Sequence, residues 1–171
     1  MKAAYIVLIC ILLNSCRYNN GGVQTILLPD SKIEYLIDTI DIAPMEDSVN
    51  EMIYKHYFIS PGDLYVACFT YAQSQNDQTR DDEYGYKFNF EIDTTKSSFY
   101  FHDDSLALIQ CYFYEYGAWV RGNHHPVLNG FISVDKIDTD TWFIKWDMET
   151  TPIFIDEEPF PLSGTAYFEI I

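Results

Sequence analysis

Residues 84–93 read YGYKFNFEID, and this stretch decides the fold class of the chain. Aromatic or apolar side chains alternate with small, polar or charged ones at every position. Side chains on a β-strand point alternately to opposite faces, so this pattern predicts a half-buried strand of an antiparallel sheet. Phe88 and Phe90 are expected to face the core, whereas Lys87 and Glu91 are expected on the opposite face.

Other stretches extend this prediction to the whole chain. The further predicted strands cover residues 23–28, 33–40, 64–71, 98–102, 106–119, 128–137, 141–148 and 162–170. Most are joined by short turn sequences, and Asp138-Thr139-Asp140 is a strong hairpin signal. Because crossover helices are missing from the pattern, a parallel sheet is not expected. The sequence predicts an all-β fold, an antiparallel β-sandwich or flattened barrel of about eight strands.

One stretch favours a short helix within this β pattern. Ser48 and Glu51 have the spacing of a capping box, and apolar or aromatic residues follow at helical spacing as far as Tyr57. The competing interpretation is a strand over residues 53–59. We predict the helix, which would be the one helix of the fold.

The N-terminus begins with Lys2 and an uninterrupted apolar run, AAYIVLICILL, over residues 3–13. The run is shorter than the roughly 20 residues that cross a bilayer, but it has the length of a signal-peptide core. The next residues complete Leu13-Asn14-Ser15-Cys16, which resembles the lipobox of bacterial lipoproteins. The resemblance implies cleavage before Cys16 and acylation of its thiol and new amino group. The lipid would then be the chain's contact with the membrane.

The lipobox divides the chain into a leader over residues 1–15, a tether over 16–22 and a single β domain over 23–171. The C-terminal third carries Gly130-x-Ile132-x-Val134, and later Leu162-Ser163-Gly164-Thr165 followed by Tyr167-Phe168. This pattern is similar to that of small lipoproteins of unknown function from Bacteroidota-type bacteria. The resemblance implies a β-sandwich in the bacterial cell envelope, on the outer membrane, and implies no activity. Since the tether lacks an acidic run after the cysteine, the periplasmic face is expected rather than the cell surface.

The chain is strongly acidic, with 10 basic and 26 acidic residues and a formal net charge of −16. Removal of the leader, which contains Lys2, makes the charge −17. Such a charge opposes binding to nucleic acids and to anionic lipids, because both are polyanions. It favours solubility, and it would suit a basic protein partner.

Two of the four cysteines remain once Cys10 leaves with the leader and Cys16 carries the lipid. Cys68 and Cys111 would then lie in a compartment where disulfides persist. They could form a disulfide, but both fall inside predicted strands. Two separate buried thiols are therefore an equal alternative.

Polar clusters in the sequence do not complete a recognisable site. His124 and His125 are adjacent, and adjacent side chains of an extended chain point to opposite sides, so they rarely share a metal ion. Residues 77–83 are acidic but lack the spacing of a calcium-binding loop. The sequence also contains neither Gly-x-Ser-x-Gly nor His-Glu-x-x-His. We predict no metal, no cofactor and no catalysis.

The strongest candidate for a binding surface is a tyrosine row, which consists of Tyr112, Tyr114 and Tyr116, with Trp119 beyond it. At a period of two, these rings lie on one face of a strand. An exposed row would suit sugar rings or an extended peptide, and a buried row would be core packing. The sequence therefore favours a non-catalytic binding module for a glycan or a protein. An inhibitor or immunity-type protein with a basic partner, and a small envelope hydrolase, are the alternatives.

Overall fold

The computed structural model describes residues 22–42, 50–73, 84–117, 124–151 and 158–171, with side chains except at 38–42 and 50–54. The lipobox lies outside these residues. The described strands are β1 (Gly22–Ile42), β2 (Asn50–Pro61), β3 (Leu64–Ala72), β4 (Tyr84–Ile92), β5 (Ser98–His102), β6 (Tyr112–Gly117), β7 (His124–Lys136), β8 (Thr141–Thr150) and β9 (Pro161–Ile170). A 3₁₀ helix, η1 (Asp103–Ile109), joins β5 to β6.

The strands close into a flattened barrel. Neighbouring strands follow the order β1-β3-β4-β6-β7-β8-β9, and β5 pairs with β7. The ring closes where β9 returns to β1, through Ile26 opposite Glu169 and Leu27 opposite Ile170. This closing pair is parallel, whereas the other pairings of the described strands are antiparallel. The predicted all-β class is confirmed, and the parallel closure is an addition to it.

The barrel interior is filled by the side chains that the alternating patterns assign to the core. Phe88 and Phe90 of β4 are both 0% exposed, as residues 84–93 predict. The predicted hairpin around Asp138-Thr139-Asp140 is β7 and β8, and its inner face is apolar. The fully buried side chains of the barrel include Leu27, Ile92, Leu106, Phe113, Ile132, Trp142, Ile144, Met148 and Phe168.

A long first strand gives the barrel an appendage. The two strands predicted over 23–28 and 33–40 form the single strand β1, whose register shifts between Leu28 and Ser31. Asp30 has a φ of 49°, a left-handed conformation that a short polar residue tolerates. Beyond this irregularity, residues 31–42 pair with β2. We call this two-stranded unit, residues 31–42 with β2, the ribbon.

The ribbon packs on the outer face of the barrel. In β3, Ala67 and Phe69 belong to the inner core. Val66 and Cys68 occupy the alternate positions of the strand, so their side chains point outward. These outward residues nevertheless are buried, because side chains of the ribbon cover them. The resulting second cluster contains Ile26, Leu28, Ile33, Tyr57, Val66, Cys68 and Tyr112. The protein therefore has a barrel core and a smaller core beneath the ribbon.

The predicted helix near residue 50 is wrong, and the competing strand is correct. The segment from Asn50 to Pro61 is β2, and it pairs with β1 along its whole length. In an antiparallel ladder every second residue of β2 can exchange two backbone hydrogen bonds with its partner on β1, whereas a capping box satisfies two backbone groups at one helix end. Ser48 itself lies outside the described residues.

The long strand predicted over residues 106–119 is confirmed only in part, and residues 118 and 119 lie outside the described residues. Its first part belongs to η1, whose buried residues are Leu106 and Ile109. Their separation of three residues places them on one side of a helical turn, facing the barrel core. Gln110 then takes a left-handed conformation, with φ of 50°, and ends the helix. Only Tyr112–Gly117 of the predicted segment forms a described strand.

Cys68 and Cys111 keep separate buried thiols and do not form a disulfide. Cys68 lies in the cluster beneath the ribbon, whereas Cys111 belongs to the barrel core. Burial raises the pKa of the Cys111 thiol, so little of the reactive thiolate forms. We expect mass spectrometry of the folded protein without reductant to show both thiols reduced. A mass lower by two hydrogens, with a peptide linking the two cysteines, would contradict this placement.

Candidate functional site

The tyrosine row starts beneath the ribbon. Tyr112 is 4% exposed, and its hydroxyl accepts a hydrogen bond of 2.7 Å from the side-chain amide of Asn89. The Tyr112 ring lies nearly parallel to that of Tyr57, with 4.7 Å between centroids, and to that of His124, with 5.3 Å between centroids. A residue held in this way cannot contact a ligand while the ribbon is in place.

The rest of the row is half-buried. Tyr114 meets the His124 ring edge-on, with 4.7 Å between centroids. The Tyr116 hydroxyl donates a hydrogen bond of 3.1 Å to the backbone oxygen of Tyr71. Its ring lies over Gly85, where an added Cβ would come within 2.4 Å of the ring. Among the described residues of the row, Tyr114 and Tyr116 are the two that are partly exposed, and Trp119 lies outside the described residues.

Two side chains of the barrel hold the two edges of the ribbon. The backbone N–H of Tyr57 donates a hydrogen bond of 2.8 Å to Nδ1 of His124. On the opposite strand, the backbone N–H of Ile33 donates a hydrogen bond of 2.7 Å to a carboxylate oxygen of Glu91. Both acceptors can gain a proton, so the contact between ribbon and barrel depends on two titratable groups.

Burial acts on these two acceptors in opposite directions. It disfavours the charged imidazolium, and together with the neighbouring His56 and His125 it lowers the pKa of His124 from 6.5 to about 4. It disfavours the carboxylate of Glu91 and raises the pKa of that group, although the hydrogen bond from Ile33 partly opposes this. His124 is therefore neutral near pH 7 and available as an acceptor.

The other polar candidates do not form a metal site among the described residues. His124 points to the outer cluster, whereas the ring of His125 lies 6.2 Å from that of Phe113 in the barrel core. No group of three His, Cys, Asp or Glu side chains in the described part of the chain is arranged to hold a metal ion. The Asp138 carboxylate accepts hydrogen bonds from the backbone N–H of Asp140 and Thr141, which is a turn-forming role. The acidic residues 77–83 lie outside the described part.

A second aromatic surface, which is not among the sites predicted from the sequence, lies on the outer face of β5, β7, β8 and β9. Tyr100 is 58% exposed and stacks on Phe131, with 5.5 Å between ring centroids. Tyr167 is 59% exposed and packs against Phe143, with 5.2 Å between centroids. We call these four residues the aromatic platform. They form two ring pairs, and each pair has one well-exposed tyrosine above a half-buried phenylalanine.

Polar side chains fill the space between the two ring pairs. Phe131 is opposite Asp147, and Phe143 lies four residues earlier on β8, so these two phenylalanines are about 13 Å apart along the strands. The row between the two phenylalanines starts at Tyr100 of the first ring pair and continues across the sheet through the polar residues Ser133, Lys145 and Thr165. The Lys145 ammonium lies 5.7 Å from the centre of the Phe131 ring. Exposed carboxylates of Asp135 and Asp147 flank this row.

The sequence did contain a signal for this surface. In residues 141–148, Trp142 and Ile144 alternate with other residues, and both are inward-facing and buried in the structure. The positions between them point outward, and a large ring such as Phe143 at an outward position indicates an apolar surface. What could not be deduced is that β5 pairs with β7, which brings Tyr100 next to Phe131.

The described residues contain no helix that is long and apolar enough to cross a membrane. No protein-family model, curated protein sequence or solved structure matches the chain.

Proposed function

We propose that this chain is a non-catalytic binding module of the bacterial cell envelope, held by a lipid on Cys16, and that the aromatic platform binds a glycan. The observation that carries the proposal is the pairing of well-exposed Tyr100 and Tyr167 with phenylalanines on one face of a sheet. Aromatic rings present large apolar faces with little conformational entropy to lose, and the hydroxyl of tyrosine adds a hydrogen-bonding group.

The distribution of polar groups favours a glycan over a protein on this face. A protein interface of stable affinity has an apolar centre and a polar rim. The platform has the reverse arrangement, because Ser133, Lys145 and Thr165 separate its two ring pairs. Hydroxyl, ammonium and carboxylate groups at this position can exchange hydrogen bonds with sugar hydroxyls, while the ring pairs stack on the sugar faces. The spacing of about 13 Å along the strands between Phe131 and Phe143 suits a short oligosaccharide rather than one sugar.

Charge restricts the class of glycan. The chain has a net charge of −16, and exposed Asp135 and Asp147 lie beside the central row. A polyanionic glycan would meet the repulsion of these charges. A neutral oligosaccharide would not, and we therefore propose neutral oligosaccharides as the ligand class.

Binding of a neutral oligosaccharide is expected to depend on the rings of the aromatic platform and not on exposed aromatic rings elsewhere on the protein. We expect Tyr100→Ala and Tyr167→Ala each to weaken binding of a neutral oligosaccharide about tenfold or more, since one lost aromatic contact costs about 0.5–1.5 kcal/mol beyond its buried area. The measurement is an array of neutral and anionic oligosaccharides, followed by calorimetric titration with the sugars that bind. Phe58→Ala is the matched control, because Phe58 is 40% exposed but lies on the ribbon. Equal loss in all three variants, or no binding to any neutral sugar, would refute the platform as a glycan site.

The acidic surface supports a second candidate, an inhibitor or immunity-type protein that binds a basic protein. Its predicted signature is different from that of the glycan module. Association between oppositely charged proteins weakens as salt screens the charges, whereas stacking on sugars changes little. Binding of a basic partner that falls steeply with added salt, and that survives Tyr100→Ala, would favour this candidate.

A further inference from the structure

We infer that the ribbon is an acid-sensitive cover over the tyrosine row, which neutral His124 holds closed and protonated His124 releases. The contact that carries this inference is the hydrogen bond from the backbone N–H of Tyr57 to Nδ1 of His124, 2.8 Å long. A neutral imidazole has one ring nitrogen that accepts, whereas an imidazolium has none. The protonated ring would instead direct an N–H at the N–H of Tyr57, so protonation of His124 removes this bond and disfavours closure.

The stacking geometry strengthens this exclusion. The rings of Tyr57, Tyr112 and His124 are mutually near parallel, with interplanar angles of 10°, 6° and 14°. Tyr57, Tyr112 and Cys68 all belong to the cluster that the ribbon covers, and all three would become solvated when the ribbon lifts. Opening therefore hydrates His124 and uncovers Tyr112, which makes the tyrosine row continuous from Tyr112 to Tyr116. The cover thus controls access to the surface that the sequence pattern predicts.

The direction of the pH effect follows from the two states of His124. In the closed state burial holds its pKa at about 4, whereas a solvated histidine titrates near 6.5. Between these values the open state binds a proton that the closed state does not bind. Each unit of acidification in this range therefore lowers the ratio of closed to open protein by at most tenfold. Above 6.5 His124 is mostly neutral in both states, so closure no longer depends on pH through this group.

Other titratable groups face His124 or hold the ribbon. His56 of β2 lies 6.1 Å away and adds to the repulsion of a second positive charge, as His125 does on β7. Burial raises the pKa values of Tyr57 and Tyr112, so both stay neutral in this pH range. Glu91 acts in the opposite direction, because its raised pKa means that the closed state takes up a proton more readily than the open state. Acid therefore favours the open state through protonation of His124, and protonation of Glu91 partly offsets this effect.

Two buried thiols provide the test and its internal control. Cys68 lies in the cluster beneath the ribbon, and Cys111 lies in the barrel core. The full protein would be exposed to dithiodipyridine, which reacts with thiols in acid, from about pH 7 to about pH 4. Peptide mass spectrometry then gives the labelling rate of each cysteine separately, normalised to glutathione at the same pH. We expect the rate at Cys68 to rise by on the order of a hundredfold over this range, with Cys111 staying protected.

Variants identify the group that titrates. His124→Asn retains an acceptor near the position of Nδ1 but does not titrate, so labelling of Cys68 should lose its pH dependence. Glu91→Gln removes the opposing group, so the rise at Cys68 should become steeper. The inference would be overturned by a constant rate at Cys68, by an unchanged rise in His124→Asn, or by loss of the rise in Glu91→Gln. It would also be overturned if Cys68 and Cys111 became reactive together, since that is unfolding of the barrel.

Discussion

Replacing Trp142 with alanine is expected to lower the free energy of unfolding by about 3–5 kcal/mol, among the largest losses in this protein from a single substitution. Trp142 is 0% exposed and lies on the inner face of β8, in the core that all strands of the barrel share. Its removal leaves a large cavity where several strands meet, and the closed ring has little freedom to collapse into it. The measurement is denaturant unfolding followed by circular dichroism, with the midpoint and the slope compared with the unchanged protein.

Two further substitutions make this prediction specific. No described residue accepts a hydrogen bond from the indole N–H of Trp142, so Trp142→Phe removes an unsatisfied buried donor along with some volume. We expect Trp142→Phe to lower the free energy of unfolding by much less than Trp142→Ala. The unsatisfied indole N–H costs the original protein about 1–3 kcal/mol, and phenylalanine removes that cost. Leu108→Ala is the surface control, because Leu108 is 73% exposed on η1 and should change stability by less than about 0.5 kcal/mol. A loss below about 1 kcal/mol in Trp142→Ala would contradict the closed core.

Replacing Cys16 with alanine is expected to abolish membrane attachment and release the protein into the soluble periplasmic fraction. The proposed anchor is the set of acyl chains on this one residue, and stable anchoring needs two or more hydrophobic signals. Without the cysteine, both acylated groups are lost together. Cell fractionation with immunoblotting measures the change, and metabolic labelling with a palmitate analogue reports the lipid directly.

Cys10→Ala is the matched control for the anchor, because Cys10 lies in the same leader but outside the lipobox. Its expected behaviour is unchanged attachment and unchanged labelling. Retention of Cys16→Ala in the membrane fraction after a high-salt wash would refute the lipid anchor. Loss of attachment in both variants would show instead that the leader is damaged, and the anchor would then have no support from this experiment.

Local patterns predicted much of this fold because local physics decides it. The alternation over residues 84–93 places Phe88 and Phe90 in the core, where the structure has them. The turn at Asp138-Thr139-Asp140 is likewise local, since the Asp138 carboxylate accepts the backbone N–H groups of the turn itself. The same local rules failed around Leu106 and Ile109, whose spacing fits a helical turn as well as an apolar strand.

Contacts between distant segments account for the rest. The parallel closure of β1 on β9 joins the two ends of the described chain, and no local pattern specifies it. Outward-facing side chains beneath the ribbon are buried, although alternation along their strands predicts that they face solvent. Asn89 and Tyr112 are examples, with exposures of 6% and 4%. For this reason the predicted tyrosine row is largely covered, while the platform around Tyr100 and Tyr167 is open.

The binding surface is tested most directly by nuclear magnetic resonance of the protein with isotope-labelled tyrosine rings, titrated with the neutral oligosaccharides that bind on the array. At neutral pH the ring signals of Tyr100 and Tyr167 should shift with sugar concentration, because both rings are more than half exposed on the platform. The signals of Tyr112 and Tyr57 should not move, since the closed ribbon buries both rings. Shifts confined to Tyr112, Tyr114 and Tyr116, with Tyr100 and Tyr167 unchanged, would contradict the proposed site.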